Sequence, residues 1–180
     1  MKHLWAALKI WFPIAIATTF ICLLIYAAVQ HDLRQSANDP QIQMAEDAAA
    51  KLEIGIFPPL VLPEEKVEIT KSLAPYMIIL DGKGNYLASS ATLNGKPPTL
   101  PPGVYAHAKA NKQHRVTWQP EPGVRSAVTI EYFKGSNEGY VVAGRSLREV
   151  EIRIDRIFTL VVLAWCVTLI VTLAATLFIV

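Results

Sequence analysis

Charge is missing from two long stretches of this 180-residue sequence: no Asp, Glu, Lys or Arg occurs between Lys9 and Asp32, or after Arg156. A bilayer hydrocarbon core needs about 20 consecutive apolar helical residues. Residues 10–31 and 157–180 both reach that length, which a buried helix of a globular protein rarely does. Cysteine is almost absent. Cys22 and Cys166 are the two in the chain, and both fall inside the charge-free stretches. The segment between those stretches therefore has no disulfide and no thiolate metal site, and the two thiols read as small apolar packing residues. Glycine and proline are missing from residue 147 onward, so nothing in the sequence interrupts a helix there.

Read as membrane segments, these stretches divide the chain into four parts. Residues 1–9 form a cytoplasmic tail and 10–30 a first transmembrane helix. Residues 31–156 form an extracytoplasmic domain, and 157–180 a second transmembrane helix. A cleavable signal peptide is the rival reading of the first stretch, but signal h-regions run to only about 7–15 residues. Lys2 and Lys9, with no acid beside them, keep the N-terminus on the cytoplasmic side. Arg145, Arg148, Arg153 and Arg156 argue for the opposite orientation, but they sit on a long segment that translocates largely regardless of charge. The expected location is thus the inner (cytoplasmic) membrane, as a multi-pass protein. Of the 17 Lys and Arg, Lys2 and Lys9 alone precede the first gap, and the rest equal the 15 Asp and Glu between the gaps. That segment is formally neutral, so no nucleic-acid partner is expected.

Within the spans, Ala15, Thr18, Thr19 and Cys22 share one helical face. Ala164, Thr168, Thr172 and Thr176 recur every four residues on another. Small residues let helices approach closely in lipid, so these faces are expected to meet, within one chain or across a dimer. Pro13 sits near the cytoplasmic start of its span, where a missing amide costs little.

Between the spans the elements read as follows. Residues 31–38 continue the first helix. Asp39-Pro40 reads as N-cap and first helical residue of a helix with an Ile42, Ala45, Ala49, Leu52 stripe, ended by Gly55. Pro58, Pro59 and Pro63 suggest an extended connector. Residues 76–80 and 86–89 read as a hairpin around the turn 81–85. That turn lacks the regular oxygen ligands and closing Glu of a calcium loop. A helix opens at Pro101 or Pro102 and runs to about Lys112. Strands are expected at 114–118, 124–133 and 140–143, with 119–123 as a turn. In the middle strand Val124, Ser126, Val128, Ile130 and Tyr132 face one way, and Arg125, Ala127, Thr129 and Glu131 the other. Ser146 and Glu149 match a capping box opening one continuous helix into the second span. The fold class is therefore α+β: two transmembrane helices flanking an antiparallel sheet with helices.

The order of elements resembles the extracytoplasmic sensor region of bacterial two-component histidine kinases and chemoreceptors. Residues 73–81 (Leu-Ala-Pro-Tyr-Met-Ile-Ile-Leu-Asp), the turn 82–85, residues 87–90 and the exit segment 144–151 carry the resemblance. It implies a PAS-like (Cache or PDC type) domain that binds a small molecule or none and signals through its transmembrane helices. Such receptors continue into a cytoplasmic output module. This sequence ends at Val180, so the resemblance does not bring that output with it.

Catalytic residues are not expected. His31, His107 and His114 lack metal-ligand spacing such as His-Glu-x-x-His, and Ser89 and Ser90 lack a nucleophile-elbow context. No metal or cofactor is expected. Arg115, Trp118, Arg125 and Tyr132, on the three-strand meander, are the candidate ligand-binding residues, the arginines suiting a ligand carboxylate. The bland alternative makes Trp118 and Tyr132 core and both arginines solvated. Two functions follow: a sensory module, or a non-enzymatic assembly subunit that binds a protein partner. The partners expected are the bilayer, a small-molecule ligand, and a second copy or a membrane signalling protein.

Overall fold

The computed structural model describes residues 2–180. The chain divides into two compact units, one holding the segments up to Arg34 and from Val150 on, the other Gln35–Glu149. Helix α1 spans Lys2–Ser36 and α2 Asp39–Glu53. Between them Asn38 stays in the right-handed helical region and occupies the N-cap position, its side chain making no capping bond. Asp39 is therefore the first helical residue rather than the cap, and Pro40 falls in the first turn, where its missing amide costs nothing. Ile54 caps the C-terminus, and Gly55 at φ +88° follows in the left-handed conformation that favours glycine. The expected extended connector contains a short helix, α3 at Pro58–Val61. Prolines in a helix's first turn pre-set φ without losing an intrahelical bond, so Pro58-Pro59 starts a helix instead of forbidding one.

Strands β1 (Val67–Glu68) and β4 (Ala91–Thr92) form a small parallel pair. The main sheet is antiparallel and five-stranded. It comprises β2 (Tyr76–Asp81), β3 (Tyr86–Ser89), β5 (Gln113–Glu121), β6 (Val124–Lys134) and β7 (Glu138–Ser146), in the order β3-β2-β7-β6-β5. The hairpin and the meander join because β2 pairs with β7 along Tyr76↔Gly144 to Asp81↔Gly139. Strand β5 runs through the expected turn to Glu121, with an irregularity between Trp118 and Glu121 that accommodates Pro120. Helix α4 (Pro102–Asn111) bridges β4 and β5.

Both faces of the sheet are covered. On one, the small residues Ala45, Ala48 and Ala49 of α2, with Leu52, lie against Met77, Ile79, Phe133, Val141 and Ala143. Three alanines let the helix axis sit close to the strands. On the other, Leu100 and Ala108 from the α4 region pack on Tyr76, Ile78, Trp118, Val128, Ile130 and Val142. Full burial of each large apolar side chain contributes roughly 1.5–3 kcal/mol. The alternation read in β6 is present, but its second face is also buried: Ala127, Thr129 and Glu131 are enclosed.

Carboxylates fix two turns. Asp81 Oδ1 accepts the Lys83 and Asn85 amides, each at 2.8 Å, and closes the hairpin turn. Glu68 accepts the amides of Asn94 (3.0 Å) and Gly95 (3.2 Å) and the hydroxyls of Thr70 (3.0 Å) and Thr92 (3.1 Å). Desolvation of Glu68 opposes ionisation, but these four donors outweigh it and hold its pKa down at about 2. A folded-state pKa below the unfolded one adds stability that is complete above the ordinary Glu value and disappears as pH falls through about 2. Urea titrations from pH 6 to pH 2 should therefore show a flatter acid limb for Glu68→Gln than for the wild type. Coincident limbs would mean that the carboxylate is not held this way.

The last helix, α5, covers Arg148–Ile179. Ser146, the last residue of β7, accepts the Arg148 amide at Oγ at 3.3 Å, rather than the Glu149 amide of the expected capping box, and the helix begins two residues after it. The α+β class and the antiparallel sheet with helices thus agree with the sequence reading. Helices α1 and α5 are each long and apolar enough to cross a membrane, and almost none of either apolar stretch is buried in protein.

Candidate functional site

The pleat separates the four candidate ligand residues. Trp118 is 8% exposed and belongs to the core on the α4 side, with Tyr132 partly buried against it. Arg115 and Arg125 alternate with them and so belong to the opposite face. Arg115 is exposed and its Nε donates to Gln113 Oε1 at 2.9 Å, while Arg125 is half-buried and engaged. Tyr132 lies 5.6 Å from Tyr140, under the Lys109 ammonium at 5.4 Å, and its hydroxyl donates to Glu138. Lys109 and Glu138 form an exposed ion pair at 2.9 Å, which holds the lysine pKa above its ordinary value, while the Tyr132 hydroxyl and then Lys109 hold the Glu138 pKa below its own. The four residues therefore do not converge on one pocket.

A cleft opens instead along α2. It has a volume of about 380 Å³ and is bordered by Glu46, Ala50 and Glu53 of α2, Asn111 and Lys112 after α4, and Gln113 and Glu131 of the sheet. Glu131 forms its floor at 3% exposure. Gln113 Nε2 bridges Glu131 Oε2 (3.0 Å) and Glu46 Oε1 (3.2 Å), and Lys112 Nζ stands 3.8 Å from Glu131. Burial pushes the Glu131 pKa up. The Gln113 hydrogen bond and Lys112 pull against this, and the Glu46 and Glu53 charges add to it. In the sequence Glu131 fell on the strand face shared with Arg125 and Thr129, which reads as solvent-facing. Its significance depended on α2 covering that face, which alternation within β6 does not reveal.

In the helical unit, α1 and α5 run antiparallel. Trp11 Nε1 donates to Thr172 Oγ1 (3.1 Å) and the Leu169 carbonyl (3.2 Å), and Trp165 Nε1 donates to Thr19 Oγ1 (2.9 Å). Tyr26 and Phe158 meet edge-on at 5.4 Å. Ala15, Thr19 and Cys22 are half-buried on α1, and Thr172 and Thr176 are covered on α5. Ala164 and Thr168 are exposed. The covered seam of α5 runs through Val161, Trp165, Leu169, Thr172 and Thr176, spaced by threes and fours. A row at every fourth residue drifts off a seam of 3.5–3.6-residue period, which is why half of the expected α5 face points away.

Among the described residues no group of three or more His, Cys, Asp or Glu is arranged to hold a metal ion. No protein-family model matches the chain, and no curated protein matches it.

Proposed function

We propose that the chain is a membrane-anchored extracytoplasmic sensory module with a PAS-like domain, binding a small polar ligand in the α2 cleft. The observation that carries this reading is the cleft itself, a pocket of about 380 Å³ floored by a buried Glu131 and walled by a helix. Such concave sites with few convergent polar groups suit small molecules. The order β3-β2-β7-β6-β5, which places the first strand of the antiparallel sheet between the second and the last, with helices over both faces, supports the PAS-like assignment. The unburied apolar lengths of α1 and α5 support two membrane crossings, since water would not tolerate them.

A ligand wedged beside Glu46 and Glu53 acts on α2, which follows α1 after the two-residue break Ala37-Asn38. On the other side β7 passes to α5 after Leu147, and α5 has no internal Gly or Pro to absorb a displacement. Signalling of this kind needs two arrangements that the ligand binds unequally. The output belongs to a partner, either a membrane signalling protein or a second copy of the chain.

The test uses the full chain in detergent micelles and a metabolite panel read by thermal shift. A ligand at 100 times its dissociation constant stabilises by about 2.7 kcal/mol. Ala50→Trp, which fills the cleft from an exposed position, should abolish that shift while leaving the unliganded midpoint nearly unchanged. A shift that survives Ala50→Trp places the ligand elsewhere, and no shift with any compound class counts against sensing.

One observation favours a second reading, an assembly subunit with a protein partner. Ile54 (79%), Phe57 (66%) and Leu60 (78%) are exposed close together in the chain between α2 and α3, and clustered exposed apolar groups mark interaction surfaces. On this reading Phe57→Asp removes a stoichiometric cross-linked partner in native membranes without changing thermal stability. If no cross-linked partner is found, the sensory reading stands alone.

A further inference from the structure

We propose that His107 and His114 form a two-imidazole site for a borderline divalent transition-metal ion (zinc, nickel or copper) that clips α4 to β5. Seven residues apart in sequence, they show no ligand spacing. The fold brings them together because α4 ends at Asn111 and Lys112 takes φ +68°, reversing the chain so that β5 begins at once with Gln113. The imidazole centroids are then 4.0 Å apart with their planes at 37°. Helix and strand each contribute one ring, and a non-glycine residue at positive φ holds the reversal, a conformation that carries a cost.

The chemistry favours a metal over a purely structural stack. Imidazole nitrogen suits zinc, copper and nickel, and waters complete a coordination sphere that the protein leaves open. Metal binding requires neutral imidazole. Asn111 Nδ2 donates to the His107 carbonyl at 3.0 Å and lies 3.4 Å from His107 Nδ1. The bond to the carbonyl steadies the last turn of α4, which carries His107. His107 is exposed, so its ring is free to turn its edge toward His114, as shared coordination needs. The charged and phenolic groups packed on this face include Tyr105 and Lys109 of α4, Tyr76 of β2, Tyr132 of β6, and Glu138 and Tyr140 of β7. Lys109, Tyr132 and Glu138 are engaged with one another. The pair lies on the α4 face of the sheet and the α2 cleft on the other, so the two sites are tested separately.

The experiment uses the full chain, purified in detergent without a polyhistidine tag, stripped with a chelator and titrated calorimetrically with zinc chloride. One site is expected. His107→Gln and His114→Gln should each weaken binding by at least about tenfold, and His31→Gln should leave it unchanged. Zinc should slow amide hydrogen exchange across residues 104–116 in the wild type and not in His107→Gln. The exposed position of His107 makes that variant decisive even if His114→Gln proves unstable. Absence of zinc binding below millimolar concentration overturns the proposal. So does a dissociation constant unaltered by His107→Gln, or zinc protection confined to another segment.

Discussion

Gly144→Ala is expected to destabilise the globular unit by about 3 kcal/mol. Gly144 sits in the central strand β7 opposite Tyr76, the tip of whose ring lies over it. A β-carbon there would stand 2.3 Å from Tyr76 Cζ and 2.4 Å from its hydroxyl oxygen. Tyr76 is 1% exposed, enclosed among Ile78, Val128 and Val142, and has nowhere to retreat. Overpacking of this kind typically costs about 1–3 kcal/mol, occasionally more, and a rigid ring against a central strand belongs at the upper end. Urea unfolding followed by far-ultraviolet circular dichroism measures the loss. The cause is separable from the size of the effect. Tyr76→Leu removes the ring tip, so Gly144→Ala should cost much less in that background. A coupling energy in a double-mutant cycle identifies the clash, whereas simple additivity would place the damage elsewhere.

Val167→Arg should stop α5 integrating into the membrane. Val167 is 58% exposed near the middle of the apolar length of α5. In water, exchanging an exposed valine for arginine is harmless and improves solubility. At the centre of a bilayer the same change costs about 2.5–3.5 kcal/mol on insertion scales, enough to move most molecules out of the inserted state. The sign of the outcome therefore reports the surrounding solvent. Helix α1 still anchors the variant, so the readout is topology: a tag at the C-terminus of Val167→Arg should become open to protease added outside intact cells, while in Ser136→Arg, in the exposed β6–β7 turn, it stays shielded as in the wild type. Equal shielding of the tag in both variants, or better solubility of Val167→Arg without detergent, would refute the two-crossing reading.

What the sequence made legible was local. Alternation along residues 124–133 located β6 and sorted its faces correctly, because a period of two is a property of the strand alone. The Asp81–Asn85 turn could be read from residue types, since the Asp81 carboxylate closes it without help from distant segments. The helix ended by Gly55 followed from the same kind of signal. What stayed hidden depended on two segments meeting. The β1–β4 pair joins short runs about 25 positions apart that carry no periodic signature. Burial of Thr129 and Glu131 depends on α2 docking over them. Arg115 and Arg125 attracted attention as ligand groups through residue type, but the pleat that put them opposite Trp118 and Tyr132 already argued against a shared pocket. His107 and His114 show the converse: unremarkable spacing, made adjacent by one left-handed residue after α4.

The outermost strand has a consequence for how the molecule coexists with copies of itself. β5 is a nine-residue border strand, and a long flat border offers unpaired amides and carbonyls to any passing chain, the first step toward fibrous aggregation. Pro120 deletes one of those amides, and the break in register beside it twists the border out of line. The cationic side chain of Arg115, exposed midway along the strand, repels a like copy arriving in register. Many copies of this domain can thus stand close together without their sheets fusing into one another, and Pro120→Val is the single change that most directly removes that protection.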